Sequence, residues 1–233
     1  MTREEYINDL FNTYQLVNVL ADKNDCKALR LRNKKIGKDL VLHSFSTPIP
    51  IYNDLCEIKS TNLPEVYDVI SLDDGQIVLE EYIDGMNIAQ IMESGKYNYR
   101  GAKKVLTEVC HGLSILHDRG FVHRDIKPEN VMVDKNGRVV LIDFNASRKI
   151  STGSRDTVIM GTVGYASPEQ LGVSQSDERT DIYALGILLN VMIIGKHPSE
   201  RIADGRAGKV IRKCTNVSPN DRYQTIAKLE QAI

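Results

Sequence analysis

The sequence predicts an α+β chain, with a small strand-rich part to about Tyr82 and a larger helical part after it, and three observations carry that prediction. KALRLR and KDLVLHSF flank the turn-like NKKIGK, and Leu29 with Leu31, then Leu40 with Leu42, alternate as a hairpin requires. Ala102, Val105, Leu106, Val109, Leu113 and Leu116 recur along one stripe of a helix. IYALGILLNVMII, from Ile182, is apolar almost throughout; about 13 residues fall short of the roughly 20 that span a bilayer, so it reads as a buried helix.

The other elements follow in order. MTREEYINDLF is charged and lacks the apolar core of a signal peptide. After the breakers Pro48 and Pro50, the spacing of Ile51, Leu55 and Ile58 predicts a short amphipathic helix, the one helix expected before Tyr82. GQIVLEEYIDG reads as a strand running into a connector that ends at Gly85. Gly120 is expected to cap the apolar-striped helix, VVLIDFN to form a short buried strand, and Asp181 to cap the free N–H groups of the helix it opens.

At 233 residues and 42% hydrophobic composition, the chain can build one domain of two lobes, or two small domains, with an ample core. The expected division is 1–82 and 83–233. A net charge of -1 makes no case for nucleic acid or an anionic membrane as partner, and RLRNKK and GRAGKVIRK read as solvated surface. Cys26, Cys56, Cys110 and Cys214 lie far apart without a CxxC pair, which suits a reducing, cytoplasmic compartment and gives no zinc pattern. There are no internal repeats or low-complexity linkers.

The densest chemistry lies in FVHRDIKPENVMV, followed by LIDFN. Together they place Asp125, Lys127, Asn130 and Asp143 at the spacing used for phosphoryl transfer. HRDIKPEN, then DFN, then GTVGYASPE is a combination far more specific than a lone HRD. On these motifs the chain resembles the eukaryotic-like protein kinase family, especially its bacterial Ser/Thr members.

That resemblance implies a bilobal fold, with a small β-rich N-lobe and a helical C-lobe, and ATP with Mg2+ as cofactors. It makes Asp125 the catalytic base, Lys127 the charge on the transferred phosphate, and Asn130 and Asp143 the metal ligands. Without the chemistry, the last two would merely satisfy backbone groups. Asn145 stands where the family has Gly, and Asn tolerates a left-handed backbone. Arg124 would pair with a phosphate on Ser151, Thr152, Ser154 or Thr157. Thr162 would bond the catalytic loop, Glu169 would pair with Arg222, and His123 and Phe144 would pack internally. His111, His117 and His197 read as incidental.

The nucleotide-facing half departs from the family. With Leu20 aligned before the Gly-rich loop, Ala21, Lys23 and Cys26 replace its glycines, and Ala28 takes the valine position over adenine. Val41 and His43 then fall on the Ala and Lys of VAIK, and Ile51 on the helix glutamate, with Asp54 and Glu57 off that face. Lys23 from the loop, or a protonated His43, could restore the missing charge. Glu81 and Ile83 would offer backbone groups to adenine, Met132 would complete the nucleotide set, and Glu80 takes the gatekeeper position, implying a polar back pocket. Two functions follow: a weak or atypical Ser/Thr protein kinase acting on a protein substrate, or a pseudokinase binding a regulatory partner. A small-molecule kinase is disfavoured by Lys127 and GTVGYASPE.

Overall fold

A computed structural model describes residues 1–23, 25–150, 162, 164–171 and 175–233. The chain forms two compact units, residues 1–60 with 64–83, and residues 61–63 with 84–233.

In the first unit, alternation of apolar residues builds one antiparallel sheet. Its strands are β1 (Tyr14–Lys23), β2 (Cys26–Asn33), β3 (Asp39–Phe45), β4 (Val66–Leu72) and β5 (Gly75–Glu81), in the order β1-β2-β3-β5-β4. Leu31 faces Leu40, and Leu29 faces Leu42, as the hairpin pattern requires. These four leucines join Ile77 and Leu79 in a single apolar cluster on one face. A helix absent from the sequence expectation, α1 (Arg3–Leu10), covers that cluster with Tyr6, Ile7 and Leu10, assisted by Phe11. Thr2 and Glu5 close its N-terminus as a capping box, and the Arg3 N–H bonds Asp74 at 2.7 Å. Among the described residues the strand-rich part therefore holds two helices, α1 and α2 (Ile51–Leu55); Ile58 is buried beyond the end of the second.

The opposite face of the sheet carries Ala28, Val41, His43, Val78 and Glu80, by register. Asp39 draws Arg30 and Arg32 together at the β2–β3 end. Bonds from Arg32 first, then Arg30, hold its carboxyl near 2. RLRNKK is thus partly an ion-pair network rather than wholly solvated.

The second unit contains β6 (Gly85–Asn87), α3 (Ile88–Glu93), α4 (Tyr99–His117), β7 (Phe121–Val122), β8 (Val131–Asp134), β9 (Val139–Leu141) and β10 (Arg148–Lys149). It continues with α5 (Glu178–Ile194), α6 (Gly205–Cys214) and α7 (Ile226–Glu230). Gly85 opens β6 because β8 passes too close for a side chain: a Cβ there would meet the Val133 carbonyl oxygen at 2.1 Å. Helix α4 buries the predicted stripe, from Ala102 to Leu116. It ends earlier than expected, at the cap residue Asp118, although Gly120 does adopt the left-handed conformation at φ 72°. Helix α5 starts one turn earlier than expected, with Asp177 as its cap, which leaves the Asp181 carboxylate for another task. GRAGKVIRK becomes α6, burying Ala207, Val210 and Ile211 on one side, so it is amphipathic rather than merely solvated.

Candidate active site

The second unit assembles its candidate site on the loop after β7. Thr162 Oγ1 donates to Asp125 Oδ1 at 2.6 Å, and Lys127 Nζ lies 2.7 Å from both Asp125 Oδ2 and Thr162 Oγ1. Asn130 Nδ2 donates to the Asp125 carbonyl at 2.8 Å and to Oδ2 at 3.0 Å. Burial opposes ionisation of Asp125, but bonds from Lys127 and Thr162 more than offset it and hold the carboxyl below its ordinary value. Asp125 is therefore an anion at neutral pH, fixed by three side chains. Because the Asn130 amide nitrogen is committed to Asp125, its carbonyl oxygen is the end left for a cation.

Asp143 follows β9 with a left-handed backbone, φ 66°, and its Oδ1 accepts the Asn145 N–H at 3.3 Å. The left-handed residue of this turn is thus Asp143, and Asn145 needs no special tolerance. Among the described residues no group of three or more His, Cys, Asp or Glu is placed to hold a metal. Mg2+ does not need one, since it keeps several waters and takes one or two carboxylates plus phosphates. The oxygen donors of Asn130 and Asp143 fit that requirement.

The supporting shell is buried. Asp181 accepts the N–H groups of His123 and Arg124 at 2.9 and 2.8 Å, and its Oδ2 also bonds His117 Nε2 at 2.8 Å. Burial opposes its charge, yet these bonds leave it below the usual carboxylate range. His117 is therefore not incidental. His111 lies 3.0 Å from Glu230, and His197 Nε2 2.7 Å from the Gly164 carbonyl, both as surface contacts. His123 and Phe144 are fully buried, edge to face at 5.4 Å. Gln170, which no sequence signal singled out, donates to the Arg124 carbonyl at 2.8 Å. Glu169 and Arg222 form the expected pair at 2.6 and 2.9 Å. Ser151, Thr152, Ser154 and Thr157 lie outside the described residues.

In the first unit, Ala28, Val41 and His43 share one face with Glu80, while Ile83 is buried and Glu81 half-buried. Leu20 is the unpaired residue of a bulge in β1 and is exposed. Lys23 pairs with Cys26 at the exposed end of β1. Val41 and Ala28 form apolar surface; His43 Nε2 lies 2.8 Å from Glu80 Oε1. The sequence places both residues but carries no signal that joins them. In the second unit Met132 is half-buried on β8, opposite Asn87 and Val140. Tyr52, the buried neighbour of Ile51, fills the α2 face that presents no glutamate.

The protein kinase domain model matches residues 26–231. Serine/threonine-protein kinase D of Synechocystis is 30% identical over 86% of this chain and 44% of its own length. PknB of Mycolicibacterium smegmatis is 31% identical over 65% of this chain and 29% of its own length, and PrkC of Bacillus subtilis 31% over 59% and 22%. The chain thus spans less than half the length of these curated relatives. With the Asp125–Lys127–Thr162 cluster and the matched span in agreement, the chain belongs to the protein kinase family, in its bacterial, eukaryotic-like Ser/Thr branch, and has that family's bilobal α+β fold.

Proposed function

We propose that this chain transfers the terminal phosphoryl group of ATP to a Ser or Thr hydroxyl of a protein substrate, with an altered nucleotide-binding half. The observation that carries the reading is the Asp125 carboxylate, held anionic between Lys127, Asn130 and Thr162. An aligned carboxylate can orient the attacking hydroxyl and accept its proton, while Lys127 stabilises charge on the transferred group. Asn130 and Asp143 would hold Mg2+, which supplies neutralisation of phosphate charge. Ala28, Val41, Glu81 and Ile83 would contact the nucleotide base, with Leu20 and Lys23 at the hairpin end. Four cysteines, none in a disulfide, suit the cytoplasm.

A second reading, a pseudokinase that binds a regulatory partner, is favoured by one observation: His43 stands where the phosphate-binding lysine belongs, and α2 presents Ile51 and Tyr52 where a glutamate would be. A thermal-shift titration with ATP, with and without Mg2+, separates the two when run beside a phosphotransfer assay on Asp125→Ala. Metal-dependent stabilisation with transfer abolished by the substitution supports the enzyme. No transfer by the wild-type chain assigns it to the second reading.

A further inference from the structure

A side-chain nucleophile is activated by a basic ring beside it and by a third group that fixes the ring. Cys26, His43 and Glu80 meet that description on one face of the sheet. Cys26 lies opposite Phe45 and Ala28 opposite His43, so Cys26 and His43 are diagonal neighbours across β2 and β3. His43 in turn lies opposite Val78, two residues before Glu80 on β5. His43 and Glu80 are 8% and 4% exposed, and His43 Nε2 lies 2.8 Å from Glu80 Oε1. The other ring nitrogen, Nδ1, is buried with no nitrogen or oxygen bonded to it, and it faces the Cys26 sulfur. Phe45 stacks on the imidazole at 5.6 Å, with planes 3° from parallel, and Tyr52 lies at 6.1 Å, so the ring is held in place.

The titratable groups against the ring are thus Glu80, Cys26 and Tyr52, and Lys23 on β1 is the register partner of Cys26. Burial disfavours the charged ring, yet the Glu80 carboxylate and hydrogen bonds with Cys26 and Glu80 raise it to about 10. An imidazolium has two N–H donors; Glu80 takes one, which leaves Nδ1–H for the sulfur. Cys26 itself is half-buried at the first position of β2, within reach of small reagents. The other three thiols are pushed up, Cys56 by burial and by Asp68 and Glu57, and Cys110 and Cys214 chiefly by burial.

We infer that Cys26 is a modification site, a thiol that His43 activates and Glu80 positions for reaction with hydroperoxides. The sulfur attacks the terminal peroxide oxygen, forming an S–O bond as the O–O bond breaks. Sulfur is oxidised by two electrons to the sulfenic acid, and the hydroperoxide is reduced to water or an alcohol. The leaving oxygen takes the proton that left the thiol. The site needs neither nucleotide nor Mg2+.

The test is labelling of the native chain with iodoacetamide from about pH 6 to about pH 9, read at each cysteine by peptide mass spectrometry. A free thiol is only a few per cent thiolate at neutral pH. Full activation, less the lower intrinsic nucleophilicity of a stabilised thiolate, should make Cys26 react about tenfold faster than Cys56 at pH 7, although Cys56 is the more exposed. The Cys26 rate should stay nearly flat while that of Cys56 climbs with pH. In Glu80→Gln, an isosteric change, the Cys26 rate should fall about tenfold at pH 7 and climb with pH, with Cys56 unaltered. With equimolar hydrogen peroxide, dimedone should trap a sulfenic acid at Cys26 in the wild-type chain and not in the variant. If Glu80→Gln does not fold, the wild-type rates and their pH profile decide. Labelling of Cys26 no faster than Cys56, or climbing with pH in parallel with it, overturns the inference. So does an unchanged Cys26 profile in folded Glu80→Gln, or a Cys26 that alkylates quickly but gives no dimedone adduct.

Discussion

Replacing Arg222 with Met removes one member of a buried ion pair and leaves the other stranded. The Arg222 and Glu169 side chains are 0% and 3% exposed, so solvent cannot take over from the lost partner. Arg222 also donates to the carbonyls of Asn216, Arg179 and Val217 at 2.7, 2.9 and 3.1 Å, and lies 4.8 Å from the Tyr183 ring. Breaking such a pair from one side costs about 3–5 kcal/mol. At about 2–4 °C per kcal/mol, melting should fall by about 6–20 °C, read by calorimetry. The double substitution Arg222→Met with Glu169→Leu should recover part of that loss, but not the part due to the three carbonyls. The pH dependence has a definite sign. Burial raises the Glu169 carboxyl, and the bonds from Arg222 more than offset this, so its folded value lies below the ordinary 4.5. Its contribution is complete above that ordinary value and is lost as pH falls through the depressed one. Arg222→Met should flatten this acid limb. A drop of less than about 2 °C would refute the reasoning, because it would mean that the carboxylate finds another partner or water at little cost.

Three further outcomes are expected. Asp125→Asn should lower phosphotransfer about a hundred- to ten-thousandfold in single-turnover assays while leaving the melting temperature nearly unchanged. Since the Asp125 carboxyl is held below its ordinary value, the wild-type rate should lose this base only as pH falls through that depressed value, well below neutrality. Asp181→Asn weakens acceptance from two backbone N–H groups and His117, and should cost about 3–5 kcal/mol in urea unfolding. Gly75→Ala should destabilise the first unit by about 1–3 kcal/mol, because its φ is 147° and a Cβ would stand 2.1 Å from the Phe45 carbonyl oxygen. Gly37→Ala is the control, with φ 68° but nothing within 4 Å of the added atom.

How far the chain could be read in advance depended on the range of the interactions. Residues joined by local spacing were legible: the β2–β3 hairpin, the α4 stripe, and Lys127 and Asn130 beside Asp125 each lie within a short span, whereas Thr162, 37 residues from Asp125, was legible only through the family resemblance. The Glu169–Arg222 pair is distant in sequence and was legible only through the family resemblance. The His43–Glu80 pair was not, because it depends on the register of β3 against β5, and neither strand's alternation states its partner. Helix α1 was missed because its eight residues carry no buried side chain and its charged residues dominate the pattern; its role comes from covering a sheet face made elsewhere. Asp181 was misread by one turn. A carboxylate near a helix start looks like a cap, whereas here Asp177 caps and Asp181 bonds the chain before the catalytic loop.

Among the described residues, two that are not glycine adopt left-handed backbone angles, Arg124 at φ 69° and Asp143 at φ 66°, and both adjoin the proposed chemistry. Each costs about 1–2 kcal/mol relative to an ordinary conformation. At Arg124 the surroundings hold the strain, since Asp181 accepts its N–H and Gln170 bonds its carbonyl. Asp143 has a simpler alternative in glycine, which adopts that conformation at no steric cost but leaves the unfolded chain with more freedom to lose. Those two effects nearly cancel, so Asp143→Gly should change stability by no more than about 1 kcal/mol in either direction. On that balance the carboxylate at this position contributes little to the fold, as the proposed cation role requires. The same substitution should abolish the Mg2+-dependent part of ATP stabilisation in a thermal-shift titration. Loss of several kcal/mol of stability with Mg2+ dependence intact would show that Asp143 serves the fold instead, and would remove the metal role from the proposed mechanism.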